Sequence, residues 1–343
     1  MVHCIAVVSL SSGVLGESFV SHELPLGLKR LEEYGLKVKF MDNTLKGMAF
    51  LKDHPDARAA DLLQAFADPE ADMILTAIGG DDTYRLLPYL FDHGELASVI
   101  RPKIFMGFSD TTTNHFMLHK LGLNSFYGQA FLTELCELGP EMLPYSRRCF
   151  EELITTGTIS EIRPSEVWYR TRESFGPEQL GTALQPQPNG GFELLQGAPV
   201  FSGEILGGCL DTIFDWFDPG RYADSPALCR QYGLFPAAED WAGKILLLET
   251  SEEKMTPEQY RKELTVLKET GVFEAVSGVL AGKPMDECYA AEYRAILPEV
   301  IARPELPIVW NVNVGHALPR CIIPFGVPAT VNVDEQVIRF HKG

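Results

Sequence analysis

The first 120 residues alternate short apolar runs with longer segments of helical spacing. The apolar runs are Cys4–Leu10, Val38–Met41, Met73–Ile78 and Lys103–Phe108. Their length suits strands, not helices. Between them, Leu24–Tyr34, Asp56–Ala67 and Thr83–Phe91 carry apolar residues three or four apart, and Thr111–Leu121 follows the last run. This alternation predicts an α/β fold with a parallel sheet and helices on both faces. In such sheets, sites lie beyond the carboxyl ends of the strands. Two polar signals fall at such ends: Gly79-Gly80-Asp81-Asp82 and Ser109-Asp110.

The pattern then breaks. Residues 171–200 are rich in Gly, Pro, Gln and Asn and have little periodicity, as in a linker or long active-site loop. Strand-like runs resume at Lys244–Glu249, Ser277–Leu280, Pro307–Val314 and Ala329–Phe340. Thr256-Pro257-Glu258-Gln259 forms a capping box that opens a helix to about Thr270. The expected organisation is an α/β domain over 1–165, a linker and substrate loop over 166–200, and a smaller β/α domain over 201–343.

Composition narrows the function. The net charge of −18 opposes binding to nucleic acid or to an anionic membrane. The seven cysteines are scattered and include no Cys-x-x-Cys pair, which fits a reduced, cytoplasmic setting better than disulfides or zinc. The apolar run Cys4–Leu10 has no Lys or Arg before it and reads as a strand, not a signal peptide.

Ser109 stands at the tip of a strand-to-helix turn, where α/β hydrolases place a nucleophile. The Gly-x-Ser-x-Gly elbow is not met, and on this segment alone a helix cap is the simpler account. The Gly79-Gly80 turn is neither a Walker loop nor a Rossmann fingerprint. It is either a tight turn or half of an oxyanion hole, with the Gly80 and Asp110 amides as donors. Glu249 and His316 each follow an apolar strand; a solvated acidic loop and a structural histidine are their plainer readings. His115 and His119 share a helix face, but no Glu stands in the zincin position and no third ligand lies near in sequence, so no metal is expected. Trp168 opens the long loop, either stacking on a planar substrate group or buried.

Five elements in order carry a resemblance: Ile-Gly-Gly-Asp-Asp-Thr at 78–83, Gly-Phe-Ser-Asp-Thr-Thr at 107–112, Gly-Glu-Ile-Leu-Gly-Gly-Cys-Leu-Asp-Thr at 203–212, Leu-Leu-Leu-Glu-Thr-Ser-Glu-Glu at 246–253 and Gly-His-Ala-Leu-Pro at 315–319. Together they resemble the LD-carboxypeptidase and microcin C immunity family of serine peptidases. The Asp81-Asp82 pair is more similar to the microcin-immunity branch. Cys209 departs from the Asn common in the Gly-Gly-Asn element, and no acidic residue follows Trp168 directly.

The resemblance implies a class I glutamine amidotransferase-like (flavodoxin-like) first domain, a nucleophilic Ser109, a base His316 and an orienting Glu249. It implies a homodimer, no cofactor, and an amide substrate joining an acidic aminoacyl group to a nucleotide-like moiety. A muramoyl tetrapeptide is the alternative substrate, and a non-catalytic binder the alternative class. Asp81, Trp168 and Lys283 are candidate substrate contacts; Lys254, Arg170 and Arg172 are further candidates for a substrate carboxylate. A histidine base predicts a rate that rises with pH near neutrality.

Overall fold

The computed structural model describes residues 1–341. Two mixed sheets organise the chain. The first has six strands in the order Ile323–Phe325, Ser125–Tyr127, Ile104–Gly107, Met73–Thr76, Cys4–Val8, Lys37–Phe40. All neighbours run parallel except Ile323–Phe325, which is antiparallel to Ser125–Tyr127. The four apolar runs predicted as strands are therefore strands of one sheet. Cys4–Val8 and Met73–Thr76 are buried throughout, which is why they read as continuous apolar runs without alternation.

The second sheet has eight strands and is the larger. Its order is Glu161–Ile162, Val337–Phe340, Pro328–Asn332, Val200–Cys209, Lys244–Glu249, Gly278–Gly282, Ile308–Val312, Glu193–Gln196. The four strands from Val200–Cys209 to Ile308–Val312 pair in parallel, and antiparallel strands flank them. The helix Pro257–Glu269 starts where its capping box places it, with the Thr256 side chain accepting the Gln259 N–H at 3.3 Å.

The two sheets are joined by the chain's path. Glu161–Ile162 pairs with Val337–Phe340 of the second sheet, and Ile323–Phe325 returns to the first. Within 166–200, Val167–Tyr169 pairs with Pro186–Pro188, and Glu193–Gln196 edges the large sheet. At the seam, Phe116 packs edge-on against Trp216 at 4.9 Å, and Phe235 packs against Trp241 at 5.2 Å. Such pairs add ~0.5–1.5 kcal/mol each beyond burial.

The end of Val200–Cys209 presses on the helix that follows Ser109. Gly208 has φ +139, and a Cβ there would lie 2.8 Å from the Tyr127 ring and from Thr112 Cγ2. Glycine alone permits this approach. The Cys209 N–H then donates to Thr112 Oγ1 at 3.0 Å. The carboxyl ends of Ile104–Gly107 and Lys244–Glu249 are thereby brought together.

Candidate active site

Ser109 lies where Ile104–Gly107 gives way to the helix Thr112–Lys120, through one 3-10 turn, Ser109–Thr111. Phe108 is extended and Ser109 has φ +63, a left-handed conformation that costs a non-glycine residue ~1–3 kcal/mol. Neighbours hold it there. The Ser109 N–H donates to the Tyr127 hydroxyl at 3.1 Å, and Thr112 Oγ1 donates to the Ser109 carbonyl at 2.6 Å.

The Gly79-Gly80 backbone runs against Ser109. It is pinned by the buried Asp110 carboxylate, which accepts from Ser11 Oγ at 2.6 Å and from the Thr83 hydroxyl and N–H at 2.6 and 2.9 Å. Burial raises the Asp110 pKa, and these hydrogen bonds oppose it. Asp82 is held by Arg58, which is fully buried and pairs with both of its oxygens. Among the described residues, the Gly80 and Asp110 amides have no hydrogen-bond partner.

Glu249 ends its strand with its carboxylate buried. His316 Nδ1 lies 2.8 Å from Glu249 Oε2, and His316 Nε2 lies 3.1 Å from Ser109 Oγ. The other carboxylate oxygen accepts the Tyr127 hydroxyl at 2.6 Å. Gly315, at φ +82, lets the histidine loop cross this carboxylate; a Cβ there would overlap it. Arg320 fastens the loop from behind, donating to the carbonyls of Gly315 and His316 while paired with buried Glu134. The three residues singled out in the sequence thus form one hydrogen-bonded line, Ser109–His316–Glu249.

Two residues in this line were not legible as site residues. Tyr127 touches both Glu249 and Ser109 from the last position of the strand Ser125–Tyr127. Glu252, three residues past Glu249, places Oε2 at 2.9 Å from His316 Nε2. Burial disfavours a charged His316, but the Glu249 carboxylate and the hydrogen bonds from Glu249 and Glu252 outweigh it and raise its pKa to about 10. The near-neutral titration expected of a histidine base is displaced upward.

Two cavities meet at Ser109. One holds about 690 Å³ and is mostly apolar; Phe19, Phe108, Leu132, Phe175, Met285 and Leu318 are among its walls. Phe19 and Phe175 are 61% and 54% exposed, so their ring faces are available. The other is small, about 30 Å³, and carboxylate-rich, with Asp81, Asp211, Asp215, Glu252 and Glu253 around Arg221. Burial raises Asp215 to about 7, against the opposing Arg221 charge.

Asp81 therefore reaches the site, bonded to Arg221 and to the Tyr222 hydroxyl at 3.1 and 2.7 Å. Trp168 and Lys283 do not line either cavity. Trp168 is buried, with the Lys283 ammonium 5.1 Å from its ring centre, and Lys283 is itself buried and paired with Glu287. The plainer reading of Trp168, burial, is the one its surroundings fit. Of the other basic candidates, Lys254 pairs with Asp286 at 2.7 Å, and Arg172 lines the large cavity while paired with Glu137.

His115 is buried and bonds Ser125 Oγ and the Gly107 carbonyl at 2.7 and 3.0 Å, and burial lowers its pKa to about 4. Cys209, Glu249 and His316 do bring three ligand-type atoms within 4.8 Å of one another. Two of those atoms already face each other in the Glu249–His316 hydrogen bond.

Comparison with known proteins agrees along the chain. The LD-carboxypeptidase N-terminal domain matches residues 5–128, and the LD-carboxypeptidase C-terminal domain matches 202–331. A crystal structure of an MccF-like protein from Streptococcus pneumoniae, in complex with AMP, is 58% identical, covers 99% of each chain and superposes with a TM-score of 0.98. The Escherichia coli microcin C7 self-immunity protein MccF is 25% identical over 91% of this chain and 86% of that one. A structure of MccF in complex with aspartyl sulfamoyl adenosine shares the fold at TM-score 0.79 and 22% identity, covering 99% and 96% of the two chains. A Bacillus subtilis (strain 168) protein named probable murein peptide carboxypeptidase is 26% identical over 94% of this chain and 88% of that one.

Proposed function

We propose that this chain, which belongs to the LD-carboxypeptidase family of serine peptidases, cleaves the acyl–nitrogen bond between an aminoacyl group and a nucleotide-like leaving group. One observation carries this reading. The Ser109–His316–Glu249 line opens on a 690 Å³ apolar cavity with two exposed phenylalanines, in a chain 58% identical to a protein solved with AMP.

Ser109 Oγ attacks the carbonyl carbon while His316 Nε2 takes its proton. Glu249 fixes the Nδ1–H tautomer and stabilises the imidazolium. The oxyanion forms between the Gly80 and Asp110 N–H groups, where loss of one donor commonly costs ~10²–10³ in rate. His316 returns the proton to the leaving nitrogen as the C–N bond breaks. Water, deprotonated by the same imidazole, then releases the acyl group from Ser109.

The apolar cavity suits a planar nucleoside better than a peptide carboxylate, because the guanidinium groups on its wall, Arg172 and Arg320, are committed to Glu137 and Glu134. The small cavity suits the free ammonium of an aminoacyl group. Arg221, held by Asp81 and Asp215, is the cation there that an acidic acyl side chain would meet.

The test is release of sulfamoyl adenosine and the free amino acid from an aminoacyl sulfamoyl adenosine. Wild type should turn over, and Ser109→Ala and His316→Ala should each lose on the order of 10⁴ or more in kcat. Near-normal turnover by Ser109→Ala would remove the nucleophile assignment.

A further inference from the structure

The His316 ring faces a carboxylate at each nitrogen. Nδ1 faces Glu249 Oε2 at 2.8 Å, and Nε2 faces Glu252 Oε2 at 2.9 Å. A carboxylate only accepts, so a carboxylate at each nitrogen favours an N–H on both, with Ser109 Oγ beside the second. With both present the ring is an imidazolium, and an imidazolium cannot take a proton from Ser109. This arrangement of the empty site is a resting state.

We propose that Glu252 is a positioning residue that latches His316 in its protonated form until a cationic group of the substrate draws the carboxylate away. Glu249 cannot serve as the latch. It is buried, and Tyr127 and the histidine backbone N–H fix its oxygens. Glu252 can move, since its side chain is 61% exposed. It also lines both cavities, standing where they meet over Ser109.

The other charges around the ring are accounted for. Glu249 approaches from its strand end, and Cys209 and Asp211 from the start of the neighbouring helix. Arg320 binds the backbone of the histidine loop and stacks over Phe108 on the cavity wall. Arg221 lines the small cavity with Glu252, and its charge acts on that carboxylate. Of these, Glu252 alone reaches Nε2, the nitrogen that must be free to act as base.

A substrate with a free ammonium beside its scissile carbonyl would bring that charge into the small cavity and give Glu252 a new partner. Nε2 then loses its acceptor, the ring proton escapes to solvent, and the base is uncovered with the substrate in place. Unproductive attack by Ser109 is suppressed in the empty site. The ammonium part rests on the aminoacyl reading above; the latch does not.

The experiment follows the His316 ring by NMR in histidine-labelled protein, with His316→Ala assigning its signals. Wild-type His316 should stay an imidazolium through neutrality. In Glu252→Gln and Glu252→Ala its midpoint should fall from about 10 to near neutrality, roughly three units, while Glu252→Asp should move it less. Equal midpoints in wild type and both variants would overturn the latch. In parallel, kcat/KM is measured for an aminoacyl sulfamoyl adenosine and its N-acetyl derivative. Wild type should prefer the free amine, and Glu252→Gln should reduce that preference roughly tenfold or more. An unchanged preference with a lowered midpoint would overturn release by the ammonium. Failure to cleave either compound would overturn the aminoacyl reading and leave the titration to decide the latch.

Discussion

Tyr127 shows how much of the site is set by single contacts. Its hydroxyl donates to buried Glu249 and accepts the amide of Ser109, so one atom couples acid and nucleophile across the seam. Tyr127→Phe should destabilise the fold by ~1–3 kcal/mol, since it leaves a buried carboxylate oxygen unpaired. It should also lower kcat more than it changes KM; steady-state kinetics with a denaturation curve checks both. Gly315→Ala should be more severe for activity, because the added carbon displaces the Glu249 carboxylate from under the loop. A folded Gly315→Ala protein with normal kcat would refute that geometry. Ser109, Glu249 and His316 stood out as candidates because each lies at or just past the end of a recognisable strand within a motif. Tyr127 and Glu252 were not. A tyrosine inside a strand reads as core, and an acidic pair after Glu249 reads as a solvated loop.

At the level of elements, the substrate loop is where sequence and structure diverge. Trp168 lies on a short strand, buried under Lys283, because Val167–Tyr169 pairs with Pro186–Pro188. A sequence without clear alternation hid that pairing. Phe175, from the irregular stretch that follows, is with Phe19 an exposed aromatic at the cavity. Phe175→Ala should raise KM for a nucleoside-bearing substrate by roughly 5- to 150-fold, the equivalent of ~1–3 kcal/mol of stacking. It should leave a simple aminoacyl amide nearly unaffected. Trp168→Ala should instead cost ~3–5 kcal/mol of stability, as a cavity in packed structure does. Thermal unfolding beside paired kinetics separates the two. Four of the six strands of the first sheet were visible as short apolar runs. Val200–Cys209 was not, because Gly207, which lies against the Leu247 backbone, and Gly208, which lies against Thr112, interrupt the apolar pattern. Ile323–Phe325, three residues long and antiparallel to its only neighbour, gives no local sign that it crosses to the other sheet.

The molecule works as two sheets closed on one seam. Ser109 and the Gly80 and Asp110 amides come from one side, Glu249 and His316 from the other, and neither half holds the whole of the proposed site. The glycine pair at 79–80, the serine turn and the Glu249 strand end could each be placed from sequence. Their convergence could not, since it depends on the Phe116–Trp216 and Gly208–Tyr127 contacts made only in the folded chain. Every proton transfer in the mechanism is assigned to a side chain of that seam. Activity should therefore persist after exhaustive EDTA treatment, and a loss restored by zinc would contradict the mechanism. Among the described residues no helix is long and apolar enough to cross a membrane. The most direct test of the central claim is kcat/KM measured side by side for an aminoacyl sulfamoyl adenosine and a muropeptide ending in D-alanine. The account predicts a preference for the adenosine compound of about 100-fold or more, as a stacked, buried leaving group would give. Equal or preferential cleavage of the muropeptide would contradict it.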